Sequence, residues 1–395
     1  MYCNMRLHKL SLTFCLVFLF TFEWTDASRL SVSGKKLTYN GKSVFLSGVN
    51  FAWNSYGSDF GNGKYMANSK STFERWLKEV ASKGGNSVRV WLHVEGDNTP
   101  RYDANGYVQS PDGTLFPEMK TFLNTAKANN ILVVFVLWNG AYLRNRKTLD
   151  LFRDNKKLQS YIDKVLKPMV KSLAGHPALG AWEIINEPEG LIYDNTRDGN
   201  NCFNTFPLYK SGAGFNKPQQ ALVTMRETLL FINWQAAAIK QTDPGALVTV
   251  GTWSERSMNG LSSNSRNYYT DACLIAAGGR ALGKLDFYQV HTYAYPCHTS
   301  FAPNSPFKVS AARYGLDKPL VIGELSQRCS GGSSIEQLYE YAYNNGYQGA
   351  WGWQYYNDPD PKKDERDDSI DTLNKGMLKL RGRNAAGGLV NFSVN

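Results

Sequence analysis

Two glutamates in this 395-residue chain each close an apolar run. Glu187 follows Ala181-Trp182-Glu183-Ile184-Ile185-Asn186, and Glu324 follows Leu320-Val321-Ile322-Gly323. One carboxyl group at a strand exit is ordinary. Two that converge on one cleft can carry acid-assisted displacement at a sugar acetal carbon, one protonating the leaving oxygen while the other attacks from the far face. Convergence depends on the elements that hold them. Polar and aromatic groups suited to binding stand at similar exits: Trp53, Arg89, Trp138, Asn186, Trp253, His291 with Tyr293, and Trp353.

Eight short β-branched or apolar runs punctuate the chain. They are Val44–Asn50, Ser87–Leu92, Ile131–Trp138, Gly180–Asn186, Leu247–Thr252, Phe287–His291, Leu320–Glu324 and Gly349–Trp353. Continuous apolar strands of this kind suit a parallel sheet covered on both faces. Amphipathic segments alternate with them, at Phe73–Ser82, Glu118–Ala128, Leu158–Leu173, Leu222–Lys240 and Ile335–Asn344. Gly84-Gly85 and Gly175 follow periodic residues and read as helix stops. This alternation permits a doubly wound open sheet or a closed (β/α)8 barrel. No Gly-rich GxGxxG follows the first run, which weakens a dinucleotide-binding sheet. The count of eight favours one TIM barrel, a single α/β domain with long active-site loops. Barrel chemistry sits at the C-terminal ends of the strands. Runs four and seven then exit on opposite sides of one mouth, where Glu187 and Glu324 flank a bound molecule.

The composition, 42% hydrophobic and 20% charged, excludes a disordered or collagen-like polymer. The net charge of +10 is scattered, and its longest basic cluster is Arg144-Asn145-Arg146-Lys147, so a nucleic-acid partner is not expected. Residues 1–27 read as a signal peptide. Arg6, His8 and Lys9 precede the apolar run Leu10–Phe22, and the small-residue site Thr25-Asp26-Ala27 follows. That run, about 13 residues, falls short of the ~20 needed to span a bilayer. A secreted domain over residues 28–395, with no membrane anchor, is the expectation. Four cysteines remain in it: Cys202, Cys273, Cys297 and Cys329. An even count in an oxidising compartment implies two disulfides, with three pairings open. No CxxC spacing or Cys/His cluster suggests a metal. Asn391-Phe392-Ser393 forms an N-glycosylation triplet, and Asp358–Asp368 reads as a solvated acidic loop rather than a calcium site.

Trp182-Glu183-Ile184-Ile185-Asn186-Glu187-Pro188 resembles the Asn-Glu-Pro signature of clan A glycoside hydrolases, and Val321-Ile322-Gly323-Glu324-Leu325 resembles their nucleophile strand. Ser87-Val88-Arg89-Val90-Trp91, His291-Thr292-Tyr293 and Gly352-Trp353 match in place and order. The resemblance spans roughly Val32 to Leu380 and is closest to glycoside hydrolase family 5. Within it, Phe51-Ala52-Trp53-Asn54, Arg101-Tyr102-Asp103 and Thr252-Trp253-Ser254-Glu255 resemble the secreted endo-β-1,4-mannanases of molluscs and other invertebrates.

The resemblance implies Glu187 as acid/base and Glu324 as nucleophile. Arg89 would hydrogen-bond Glu324 and hold it ionised. Asn186 would donate to the sugar's 2-hydroxyl, Tyr293 would orient Glu324, and His291 would support Glu187 or bind sugar. Trp253 and Trp353 would be pyranose platforms. Trp76, Trp234 and Trp351 read as core. Trp138-Asn139 stands where many family members carry a histidine, so that contact departs from the pattern. The segment Glu189–Lys217 is long and needs pinning; Cys202 within it and Cys273 follow neighbouring strands, as do Cys297 and Cys329. The favoured pairs are therefore Cys202–Cys273 and Cys297–Cys329. The whole reads as a secreted, monomeric retaining hydrolase of internal β-1,4-mannosidic bonds in β-mannan, glucomannan and galactomannan, with no cofactor. The alternatives are an endo-β-1,4-glucanase with the same machinery, a catalytically silent carbohydrate-binding barrel, and a basic extracellular protein that binds acidic polymers. Retention of both glutamates argues against the silent barrel.

Overall fold

Each of the eight apolar runs forms a strand, and the eight close on one another. They are β1 (Leu46–Phe51), β2 (Ser87–Val94), β3 (Leu132–Asn139), β4 (Leu179–Asn186), β5 (Val248–Thr252), β6 (Tyr288–His291), β7 (Leu320–Leu325) and β8 (Gly349–Gly352). Every residue in them is buried, as strands with a packed interior on one side and helices on the other require. All neighbours pair in parallel, and β8 returns to β1 with Gly349 opposite Leu46, completing the barrel. The computed structural model describes residues 28–214, 223–356, 364–385 and 387–395. The expected signal segment 1–27 lies outside them, as do residues 358–363 of the acidic stretch, the last three residues of the segment Glu189–Lys217, and the first residue of the expected Leu222–Lys240 helix.

Helices between the strands cover the barrel with their apolar faces, among them Lys70–Ser82, Leu115–Ala128, Met225–Thr242, Ile335–Asn344 and Ile370–Leu380. Two begin with reciprocal capping boxes, Thr224 with Glu227 and Ser334 with Gln337, which satisfy backbone N–H groups that have no intrahelical acceptor. The expected single helix over Leu158–Leu173 is instead three pieces: Asn155–Tyr161, a π turn at Ile162–Leu166, and Lys167–Leu173. Pro168 explains the widened turn, because its ring crowds the carbonyl of Lys164, four residues back and within that turn, and it has no N–H for the ladder.

An antiparallel pair, Leu30–Ser33 and Lys36–Tyr39, precedes the barrel. Leu30 and Leu37 bury into the core, and the Leu37 N–H donates to Gln348 Oε1 just before β8. The pair therefore seals the N-terminal end of the barrel. The opposite end is left to the loops.

Candidate active site

Glu187 sits where β4 leaves the barrel, and its backbone is unusual. Its φ of +43° is in the left-handed region, a conformation that costs a non-glycine residue about 1–3 kcal/mol. Neighbouring strands hold it there. The Glu187 N–H donates to Gly251 O at 2.6 Å, and the Gly140 N–H donates to Asn186 O at 2.6 Å. A Cβ on Gly140 would stand 2.6 Å from Pro188 Cα, so glycine is what lets β3's exit press against this corner. The Glu187 carboxylate accepts a hydrogen bond from His291 Nδ1 at 2.8 Å. Burial pushes the His291 imidazole down to about 4, so near neutral pH it is an uncharged donor.

Glu324, next to last in β7, is 2% exposed. Its Oε1 accepts from Arg89 Nη1 at 2.7 Å and its Oε2 from the Tyr293 hydroxyl at 2.8 Å. Carboxylate oxygens of Glu187 and Glu324 and a ring nitrogen of His291 all lie within 4.8 Å of one another. Those atoms form the one group among the described residues arranged to hold a cation, and the carboxylate oxygens in it accept from His291, Arg89 and Tyr293. Close carboxylates at this spacing match a nucleophile–acid pair, for which about 5–5.5 Å is usual, and not the ~6.5–9.5 Å of an acid and base with water between them.

Arg89 does bond Glu324 and pull its carboxyl down as expected, but it does not set the net direction. Burial pushes the Glu324 carboxyl above its ordinary value, with Glu187 pushing the same way, while His291, Arg89 and Arg366 pull back and do not win. Part of the reason is that Arg89 is shared. Its Nε and Nη2 donate to Glu183 at 2.7 and 2.6 Å, and Nη2 also reaches Asn186 Oδ1 at 2.6 Å. Burial works against the guanidinium charge, but Glu183 and Glu324 outweigh it and raise the Arg89 pKa.

Asn186 is fixed from both ends: Oδ1 faces Arg89, and Nδ2 donates to Asn139 Oδ1 at 2.9 Å. Its second amide hydrogen has no partner among the described residues, which leaves it for a ligand hydroxyl. Asn139 takes this place at the end of β3 because side chains alternate along a strand. Trp138, one residue earlier, points away, donating to Gln235 Oε1 at 3.1 Å and packing on His93 and Tyr161. The sequence had marked the pair only by the histidine it lacks.

Arg89, Asn186, Tyr293 and Glu324 thus form one hydrogen-bonded network, and the His291–Glu187 pair adjoins it, with His291 Nδ1 3.4 Å from Glu324 Oε1. Trp353 joins by packing, edge-on to Trp91 at 5.6 Å and to Trp53 at 6.0 Å, with Tyr293 against the same cluster. Trp253 belongs elsewhere. Its N–H donates to Glu189 Oε2 at 3.0 Å, and Gly214 lies so close to its ring that a Cβ there would be 2.4 Å from Cγ. It is half-buried, with the loop after β4 across part of the indole. Trp76 and Trp351 are core as expected, and Trp234 is half-buried with its indole N–H on Gly278 O.

Two charged groups, Glu183 and Arg366, were missed from sequence. Glu183 and Arg89 each interrupt an apolar strand, and buried charges must pair, so that signal was present. Arg366 was hidden in the acidic stretch, of which the described part is not a solvated loop. Asp367 and Asp368 are buried, and Asp368 accepts from the Gln327 and Arg328 N–H groups beyond β7. Those bonds draw the segment over the nucleophile strand and place the Arg366 guanidinium 5.1 Å from the Tyr293 ring. Both disulfides pair as expected, Cys202 with Cys273 and Cys297 with Cys329.

A family model described as cellulase (glycosyl hydrolase family 5) matches residues 38–379. The chain is 49% identical over 328 residues to a mannan endo-1,4-beta-mannosidase of Mytilus edulis, covering 82% of this chain and 88% of that one. It is 43% identical to a mannan endo-1,4-beta-mannosidase of Cryptopygus antarcticus, covering 93% and 94%. The crystal structure of endo-1,4-beta-mannanase from Eisenia fetida superposes with a TM-score of 0.88 at 45% identity, over 93% of this chain and 100% of that chain.

Proposed function

Because the chain belongs to glycosyl hydrolase family 5, we propose that it hydrolyses internal β-1,4-mannosidic bonds of mannan, glucomannan and galactomannan with net retention. The observation that carries this is the pair Glu187 and Glu324, close together at the exits of β4 and β7 with unlike partners. Glu324, on a guanidinium and a phenol, attacks the anomeric carbon. Glu187, facing a neutral imidazole, gives its proton to the leaving oxygen as that bond breaks. The covalent intermediate takes away the Glu324 charge. Glu187, ionised after giving up its proton, then acts as base and removes a proton from the water that displaces Glu324. The free Asn186 amide hydrogen is aimed at the 2-hydroxyl, a contact that strengthens in the transition state. Acid, nucleophile and water suffice, without cofactor.

The mannan assignment is supported by the relatives at 43–49% identity. A β-1,4-glucan substrate is the second reading, favoured by the cellulase description of the family. Product analysis on mannan, glucomannan and cellulose side by side separates the two, and a reducing-sugar assay disposes of a silent binding barrel. Residues 1–27 act as a signal peptide in this reading, and 28–395 form a secreted monomeric catalytic domain. Two disulfides support an oxidising compartment. Among the described residues no helix is long and apolar enough to cross a membrane.

Azide rescue tests the two roles. Glu324→Ala should abolish turnover and regain some with azide, giving inverted product. Glu187→Ala should hurt substrates with poor leaving groups far more than activated aryl glycosides, and its azide product should be retained. Swapped stereochemistry reverses the assignment; full activity in either variant removes the mechanism.

A further inference from the structure

Arg89 lies between two carboxylates, and the one outside the proposed chemistry holds it more firmly. Glu183, in the middle of β4, takes a two-pronged hydrogen bond from Nε and Nη2, whereas Glu324 takes a single bond from Nη1. The Arg89, Glu183 and Glu324 side chains are 0%, 0% and 2% exposed, so water screens none of these contacts. Two-pronged guanidinium–carboxylate pairs are strong and fix orientation as well as distance. Gln289 Nε2 adds a second donor to Glu183 Oε2, at 2.7 Å. The barrel also keeps space for this carboxylate. A Cβ on Gly251 of β5 would stand 2.6 Å from Glu183 Oε1 and 2.7 Å from Gln289 Nε2.

We propose that Glu183 is a positioning residue that shares the Arg89 charge with Glu324, aiming Nη1 at the nucleophile and setting the pH below which the nucleophile is lost. This rests on the reading of Glu324 as nucleophile. The charged and titratable groups around Glu324 are Arg89 from β2, Glu183 from β4, Glu187 at its exit, His291 and Tyr293 from β6 and its exit, and Arg366 from the segment before the last helix. Of these, Glu183 is the carboxylate that reaches Glu324 through Arg89. With Glu183 ionised, Arg89 neutralises two anions, and Glu324 receives only part of its stabilisation.

The test is the acidic limb of the kcat/KM–pH profile on mannan oligosaccharides, which reports the free enzyme's nucleophile. Glu183→Gln removes one anion and frees the guanidinium for Glu324. The limb should move to lower pH by about one unit, the lower end of the scale for a carboxylate gaining a cation. Glu183→Asp keeps the charge and should leave the limb in place. A merely structural role would lower the rate at every pH with the limb unmoved, and that result overturns the proposal, as does a limb moved to higher pH. Should Glu183→Gln not fold, Gln289→Met reads the same coupling with opposite sign. Without that donor Glu183 draws harder on Arg89, the limb rises, and an unmoved limb overturns the proposal. A parent inactive on every β-1,4-glycan would remove the functional reading and this proposal with it; an active parent with an unmoved limb removes this proposal alone.

Discussion

Trp353 is 6% exposed and wedged among Trp91, Trp53 and Tyr293, whereas Trp253 is half-buried and lies against a loop glycine. Both were expected to be sugar platforms, and for Trp353 the packing adds a structural role. Trp353→Ala should destabilise by about 3–5 kcal/mol, the range for emptying an aromatic core site, besides weakening turnover. Trp253→Ala should raise KM on mannan oligosaccharides with a much smaller stability loss. Urea midpoints set beside steady-state kinetics decide this; equal midpoints for the two variants would mean Trp353 is not part of the packed cluster. Residue type showed that these indoles matter. It did not show which face of each is covered, because that depends on neighbours distant in sequence.

The exits of β4 and β5 are tied by one buried carboxylate. Glu189, in the turn after Glu187, accepts from the Ser257 hydroxyl at 2.6 Å, the Tyr269 hydroxyl at 2.7 Å and the Trp253 N–H at 3.0 Å. No cation pairs with it among the described residues, and burial, only partly offset by these donors, raises it to about 7 from the ordinary 4.5. A folded value above the unfolded one means this group favours folding most below about pH 4.5 and loses that contribution as pH rises through about 7. Glu189→Gln, which cannot ionise, should lack that slope. Urea midpoints of variant and parent between pH 4.5 and 7 should therefore shift in the variant's favour as pH rises; parallel curves would show that Glu189 is charged throughout. Pro168 makes the complementary case at this scale. The periodicity over 158–173 was read correctly as helix, and the proline was the local sign of the π turn that interrupts it.

Across the whole molecule, both disulfides join the segments that follow neighbouring barrel strands, β4 to β5 (Cys273 being in the helix Asp271–Gly278) and β6 to β7. They close 71 and 32 residues of chain. In the chain-entropy model, loops of this size restrict the unfolded state by about 4 kcal/mol each. The Cys202→Ser/Cys273→Ser double variant should lose stability up to that amount, and non-reducing peptide mapping of the parent should find the two pairs; free thiols at all four positions would refute them. By itself the sequence determined the eight strands, the barrel they close, the exits where chemistry collects, and the two glutamates. Those features follow from local periodicity and from a closure rule that needs only the order of elements. Only the tertiary structure decided that Glu183 holds Arg89 in two places, that Asn139 rather than Trp138 faces Asn186, and that Arg366 comes over Tyr293 from an acidic stretch. Each depends on side chains from distant strands meeting in a dry interior, where a charge must find a partner and the partner is chosen by barrel geometry, not by proximity along the chain.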